Sequence, residues 1–117
     1  LLDEIAAWDR TADIQAVVAT TARRLAALLG KARVSLSLRP LADRETAQVS
    51  VGETCAGRPR LVFSRRLAAG KVTYGMLEAE IIEPGTDLTS SLTLLDAVAG
   101  RLALYAEQVH RSSALAA

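Results

Sequence analysis

The apolar residues of this chain change their period twice, and few folds accommodate that. Ile14, Val18, Thr21, Leu25 and Leu28 recur every three or four positions, and Val17, Ala22 and Leu29 widen the stripe. This is the spacing of one helix face, so it predicts a helix over about 13–29. Thr11 or Asp13 can cap its start by accepting bonds from the free N–H groups. Gly30 can stop it, because glycine tolerates the positive φ of a helix C-terminus. Beyond Gly30 the period is two. Val34, Leu36 and Leu38 alternate with Arg33, Ser35, Ser37 and Arg39, the mark of a half-buried strand.

Three more strands follow. Pro40 ends the first, since it offers no N–H to a ladder. The charged stretch Leu41 to Thr46 reads as a turn, after which Ala47, Val49 and Val51 alternate with Gln48 and Ser50. Gly52, Gly57 and Pro59 mark an irregular connection. Leu61 to Leu67 forms a third strand, Ala69-Gly70 a tight turn, and Val72 to Ile82 a long fourth strand with Gly75 inside it. Pro84-Gly85 breaks the chain, and Thr86 or Asp87 can cap a last helix from about Leu88 to at least Arg111. The fold class expected is α/β of the α+β type. An antiparallel sheet of about four or more strands would have the N- and C-terminal helices packed on one face, because a one-sided sheet needs a second layer.

The 117 residues suit one domain, and half are hydrophobic, enough for a substantial core. Fourteen basic and thirteen acidic residues leave a formal charge of +1, which gives no electrostatic footprint for nucleic acid or an anionic membrane. No apolar run reaches the roughly 18 residues of a membrane span, so no membrane insertion is expected. The lone cysteine, Cys55, cannot form an internal disulfide, which suits a reducing cytoplasm.

The closing helix carries a heptad-like seam. Leu88, Leu92, Leu95, Ala99, Leu102, Ala106 and Val109 are spaced alternately by four and three. A second row runs through Leu94, Val98 and Tyr105. A helix from Leu88 to Leu115 would be about 40 Å long, longer than the roughly 35 Å diameter of a domain this size. Small residues at Ala99, Gly100, Ala103 and Ala106 would allow another helix to approach. The reading preferred is a parallel homodimer through Leu92, Leu95, Ala99, Leu102, Ala106 and Val109. It would be joined by the N-terminal segment bearing Ile5 and Trp8, and 1–10 and 105–117 would be ends of connecting helices. The alternative is that the whole stripe is monomer core.

Taken together, the chain resembles a GAF domain over nearly its whole length. The opening helix Ile14 to Leu29 leads through Gly30 into Arg33-Val-Ser-Leu-Ser-Leu-Arg39. The closing part reads Gly70-Lys-Val-Thr-Tyr-Gly-Met-Leu-Glu78, then Pro84-Gly85, then Leu94-Leu-Asp-Ala-Val-Ala-Gly-Arg-Leu-Ala-Leu104. It includes the family's "G-x-L" step at Gly75-Met76-Leu77. Where the family usually carries a longer helical lid over a ligand pocket, this chain has only Gly52 to Arg60. The resemblance implies a sensory or dimerising module of a bacterial cytoplasmic signalling protein, not an enzyme. It would have an adjacent output domain in the same chain and no cofactor. The alternative is a purely structural dimerisation or docking domain with no small-molecule ligand.

Few residues suggest chemistry. Ser35, Ser37 and Ser50 share the strand face opposite the apolar positions, with Tyr74, Met76 and Glu78 placed beside them. A small polar ligand could lie there, or the face could simply be wet. Cys55 could sense oxidant if Arg58 or Arg60 lowered its pKa. His110 is the only histidine, and a solvated helical position accounts for it better than a metal site, which needs several convergent ligands. Arg58, Arg60, Arg65, Arg66 and Lys71 form a basic cluster suited to a phosphate or an acidic partner, or to a solvated hairpin. Glu78 and Glu80 project to one strand face, but two carboxylates without a cleft make no acid/base pair.

Overall fold

In a computed structural model, residues 14–40, 46–52, 61–84 and 87–116 are described. Helix α1 spans Ile14–Leu29 and runs directly into strand β1, Gly30–Leu38. Gly30 makes that change possible at φ 95°, a conformation that L side chains rarely adopt. Strands β2 (Ala47–Gly52), β3 (Leu61–Ala69) and β4 (Val72–Pro84) follow, and helix α2 closes the chain over Leu88–Ala116. The segment of Leu1, Ile5 and Trp8, and the connection bearing Cys55, Arg58 and Arg60, lie outside the described residues.

The four strands form one antiparallel sheet in the order β2-β1-β4-β3. Both helices cover the same side, α1 over β1 and β2, α2 over β3 and β4. The covered side carries the alternating apolar set. Leu36 sits between Val49 of β2 and Leu77 of β4, and Val34 between Val51 and Ala79. Val18, Leu25 and Leu29 of α1, and Leu95, Val98 and Leu102 of α2, are fully buried with them in one core. This is the expected mixed α+β arrangement, a two-layer sandwich.

Two register shifts modify the long strand β4. Ile82 is an extra residue opposite the Lys31/Ala32 step of β1, and Tyr74 is an extra residue opposite the Leu67/Ala68 step of β3. A bulge of this kind bends the strand and re-aims a side chain. Next to the second bulge, Gly75 lies against the backbone of β1, where a Cβ would collide with the Ser37 carbonyl oxygen and press on the Leu38 Cα. Glycine inside a strand often marks such a close backbone approach.

Helix α2 starts on Asp87. The Ser90 N–H donates to Asp87 Oδ1 at 2.8 Å and the Ser90 hydroxyl to Oδ2 at 2.9 Å. These bonds, led by the backbone one, hold the Asp87 carboxyl below its ordinary value. At 29 residues the helix is about 43 Å long, close to the molecule's 48 Å long axis.

Gly75→Ala should cost about 1–3 kcal/mol, the scale of overpacking a filled interior. Gly100→Ala, on the exposed side of α2 with open space around its Cα, should gain about 0.5–1 kcal/mol from helix propensity. Equilibrium urea unfolding of the two variants measures both signs. Asp87→Ala should lower the melting temperature at neutral pH. A depressed folded pKa stabilises above the ordinary value of 3.8 and stops doing so as pH falls through the folded value. The difference between variant and parent should therefore shrink in melts taken below about pH 3.8.

Candidate functional site

The uncovered side of the sheet is polar, and the register fixes its rows. Ser50, Ser35, Glu78 and Ser64 form one row across β2, β1, β4 and β3, and Gln48, Ser37, Met76 and Arg66 the next. Four of the expected ligand residues, Ser35, Ser37, Ser50 and Met76, thus lie on one surface. The Ser35 and Ser50 hydroxyls hydrogen-bond each other at 3.0 Å, and Arg33 Nε donates to Ser50 Oγ at 3.4 Å. The Ser64 hydroxyl donates weakly to Met76 Sδ at 3.7 Å. Two shallow hollows mark this face. One of about 210 Å³ is lined by Ser35, Ser37, Gln48, Met76 and Glu78, and one of about 140 Å³ by Arg33, Ser35, Glu78 and Glu80. Their walls are half-buried or exposed side chains and strand backbone, so a ligand here would stay largely in contact with water.

Tyr74, expected beside the serines, is elsewhere. The bulge takes it out of the alternation, and it is buried in the helix-covered core. Its ring lies 5.8 Å from that of His110 at an interplanar angle of 55°. His110 Nδ1 is 3.1 Å from the Pro40 carbonyl oxygen. The lone histidine is solvent-exposed on the helix, as expected, and also ties α2 to the end of β1. Its neighbourhood of Arg39, Pro40 and Thr73 had no sequence signal of its own. The misplacement of Tyr74 did have one. Val72, Tyr74 and Met76 fall on one parity and Leu77, Ala79 and Ile81 on the other, and Gly75 stands at the change.

The seam read as a dimer interface faces the chain's own sheet along most of its length. Leu95, Ala99, Leu102, Ala106 and Val109 are all buried within the single chain. The sheet supplies the apolar partner that a second copy was expected to supply. Leu92 is 41% exposed, and Leu88 and Leu104 also present apolar surface. The basic cluster is divided too. Arg65 lies on the covered side and pairs with Asp96 of α2, whereas Arg66 lies in the polar row with Met76. Glu78 and Glu80 do share the polar face, in neighbouring rows. Among the described residues no three His, Cys, Asp or Glu side chains converge as metal ligands, and no helix is long and apolar enough to cross a membrane.

The geometry therefore defines a class, a two-layer α/β sandwich with one helix-covered face and one polar face. No family model, curated protein or solved structure matches the chain.

Membership of the core and of the open face separates under substitution. Tyr74→Ala should cost about 3–5 kcal/mol, the scale for removing a buried aromatic ring. Ser37→Ala and Met76→Ala, on the open face, should each stay within about 1 kcal/mol of the parent. Chemical denaturation of the three variants checks the division.

Proposed function

We propose that this chain is a GAF-like regulatory module of a cytoplasmic signalling protein. In this reading it performs no catalytic step. It associates as a homodimer and passes the state of a ligand or a neighbouring domain along its closing helix to an output domain in the same chain. The observation that carries the reading is α2, a 29-residue helix that packs on β3 and β4 and is about as long as the whole molecule. Such an element can connect a sheet to something beyond it. An antiparallel sheet with both described helices on one side supports the resemblance noted from the sequence.

Relay needs two packings of α2 against the sheet that differ little in free energy, and a ligand or neighbour that favours one. Seam residues already committed to the sheet make poor contacts for a second copy. The dimer surface is therefore assigned to the exposed flank of α2, with Leu92 retained from the seam and Leu104 added. The N-terminal residues Ile5 and Trp8 belong to the proposal as well, though they lie outside the described residues.

A second reading is favoured by the polar face. Ser35 and Ser50 satisfy each other and the hollows beside them are open, as suits a structural docking or dimerisation domain without a small-molecule ligand. Sedimentation equilibrium tests what the two readings share. A dimer is expected at tens of micromolar, with Leu92→Glu combined with Leu104→Glu shifting it to monomer by at least tenfold in dissociation constant. A parent chain that stays monomeric at millimolar concentration would remove the dimerising module from both.

A further inference from the structure

We propose that β3 pairs antiparallel with β3 of a second copy, so that the two sheets run on into one. This rests on the homodimer proposed above and adds a strand to its surface. Among the described residues β3 is the outermost strand. One side of its backbone has β4, and the N–H and C=O groups on the other side are a template for a further strand. The opposite edge of the sheet is a poorer template. β2 has six residues against nine in β3, and Gln15 Nε2 of α1 donates to its Gln48 carbonyl oxygen at 3.3 Å.

The side chains of β3 fit a second copy in one register. Val62, Ser64 and Arg66 lie on the polar side, and Leu61, Phe63, Arg65 and Leu67 on the covered side. A two-fold axis through the sheet keeps the helices of both copies on one side and sets residues of one parity opposite each other. Centred on Arg65 or Arg66, the axis would bring a guanidinium against its own copy, and like charges directly opposite are destabilising. Centred on Phe63, it would pair only Leu61 to Arg65. Centred on Ser64, it pairs every residue from Leu61 to Leu67 with no charge against a like charge. Leu61 then meets Leu67, and Phe63 meets Arg65, a ring and a guanidinium that attract. Val62, which is 65% exposed, meets Arg66, whose carbon stem can cover it. The two arginines thus select the register and do not forbid the pairing.

The same approach serves the closing helix. α2 packs on β3, and its Asp96 reaches Arg65 of that strand. Leu92 stands one helical turn before Asp96, on the same side of α2, and is partly exposed. A copy joined at β3 brings its own Leu92 toward this flank, so strand pairing and the α2 contact belong to one surface.

Disulfide trapping reads the register. In a Cys55→Ser background, Ser64→Cys sets one thiol opposite its twin, and diamide should join the two chains. Val62→Cys places its twin four residues along the partner strand, roughly 13 Å away, and should stay unjoined. Ser64→Arg puts like charges at the axis and should weaken the dimer about tenfold or more in sedimentation. Amide exchange at β3 of the intact chain should slow as concentration rises. Failure of Ser64→Cys to join, or joining of Val62→Cys as readily, would overturn the proposal. A dimer that folded Ser64→Arg leaves unchanged would remove β3 from the interface while the dimerising module stands. A parent chain monomeric at every concentration would remove both and leave the edge to a different protein. Protection of β3 that is equal at every concentration would show that the chain covers its own edge, and would overturn the second copy as its occupant.

Discussion

Everything in this fold depends on one apolar sheet face needing cover. β1 and β4 are the inner strands, and Leu36 and Leu77 meet across them beneath the helices. Full burial of one leucine side chain contributes about 1.5–3 kcal/mol, and among the described residues nine leucine and isoleucine side chains are fully buried. The whole net stability of a domain is about 5–15 kcal/mol. Two helices are needed because four strands are wider than one helix, so α1 and α2 divide the face between them. The polar contacts follow from that packing. Arg65 and Asp96 pair where α2 meets β3, with both side chains about half exposed, and an exposed pair of this kind contributes at most about 1 kcal/mol. It places the helix edge but does not hold it down.

The same constraint explains what could be read from the sequence. The period changes between helix and strand and the turn residues between strands made α1, the four strands and α2 legible, with ends displaced by a few residues. The Gly30 stop and the turn at Gly70 were legible because each needs an uncommon backbone conformation. The direction of the α2 seam was not. A heptad-like stripe records that a face is buried, and a sheet satisfies it as well as a second helix does. The bulge at Tyr74, marked in the sequence only by the parity change at Gly75, is a different case. One inserted residue reverses the side of every position before it, so counting alternation from the wrong end placed Tyr74 with Ser35 and Met76. The junction of Pro40, Tyr74 and His110 joins residues about 70 positions apart, and neither period nor composition reports a contact of that range.

These placements change where a regulatory role would act. On the polar face Ser35 and Ser50 hydrogen-bond each other, and the hollows beside them offer little enclosure. The core side, by contrast, has a junction where β1, β4 and α2 come together around two rings. Any group that stabilised one arrangement of that junction over another would act directly on the closing helix, because His110 belongs to it. A conformational shift can be no larger than the difference in binding free energy between the two arrangements. A contact on the helix itself therefore has an advantage over one on the far face of the sheet, whose effect must first cross the core.

The chain's own sheet holds the Leu95–Val109 seam. Amide hydrogen exchange along α2, followed as the protein is diluted a hundredfold, tests it directly. Packing within one chain predicts that protection at Leu95, Leu102 and Ala106 is the same at every concentration. Protection that falls at these residues on dilution, while β1 and β4 stay protected, would show that another copy, not the sheet, covers the seam.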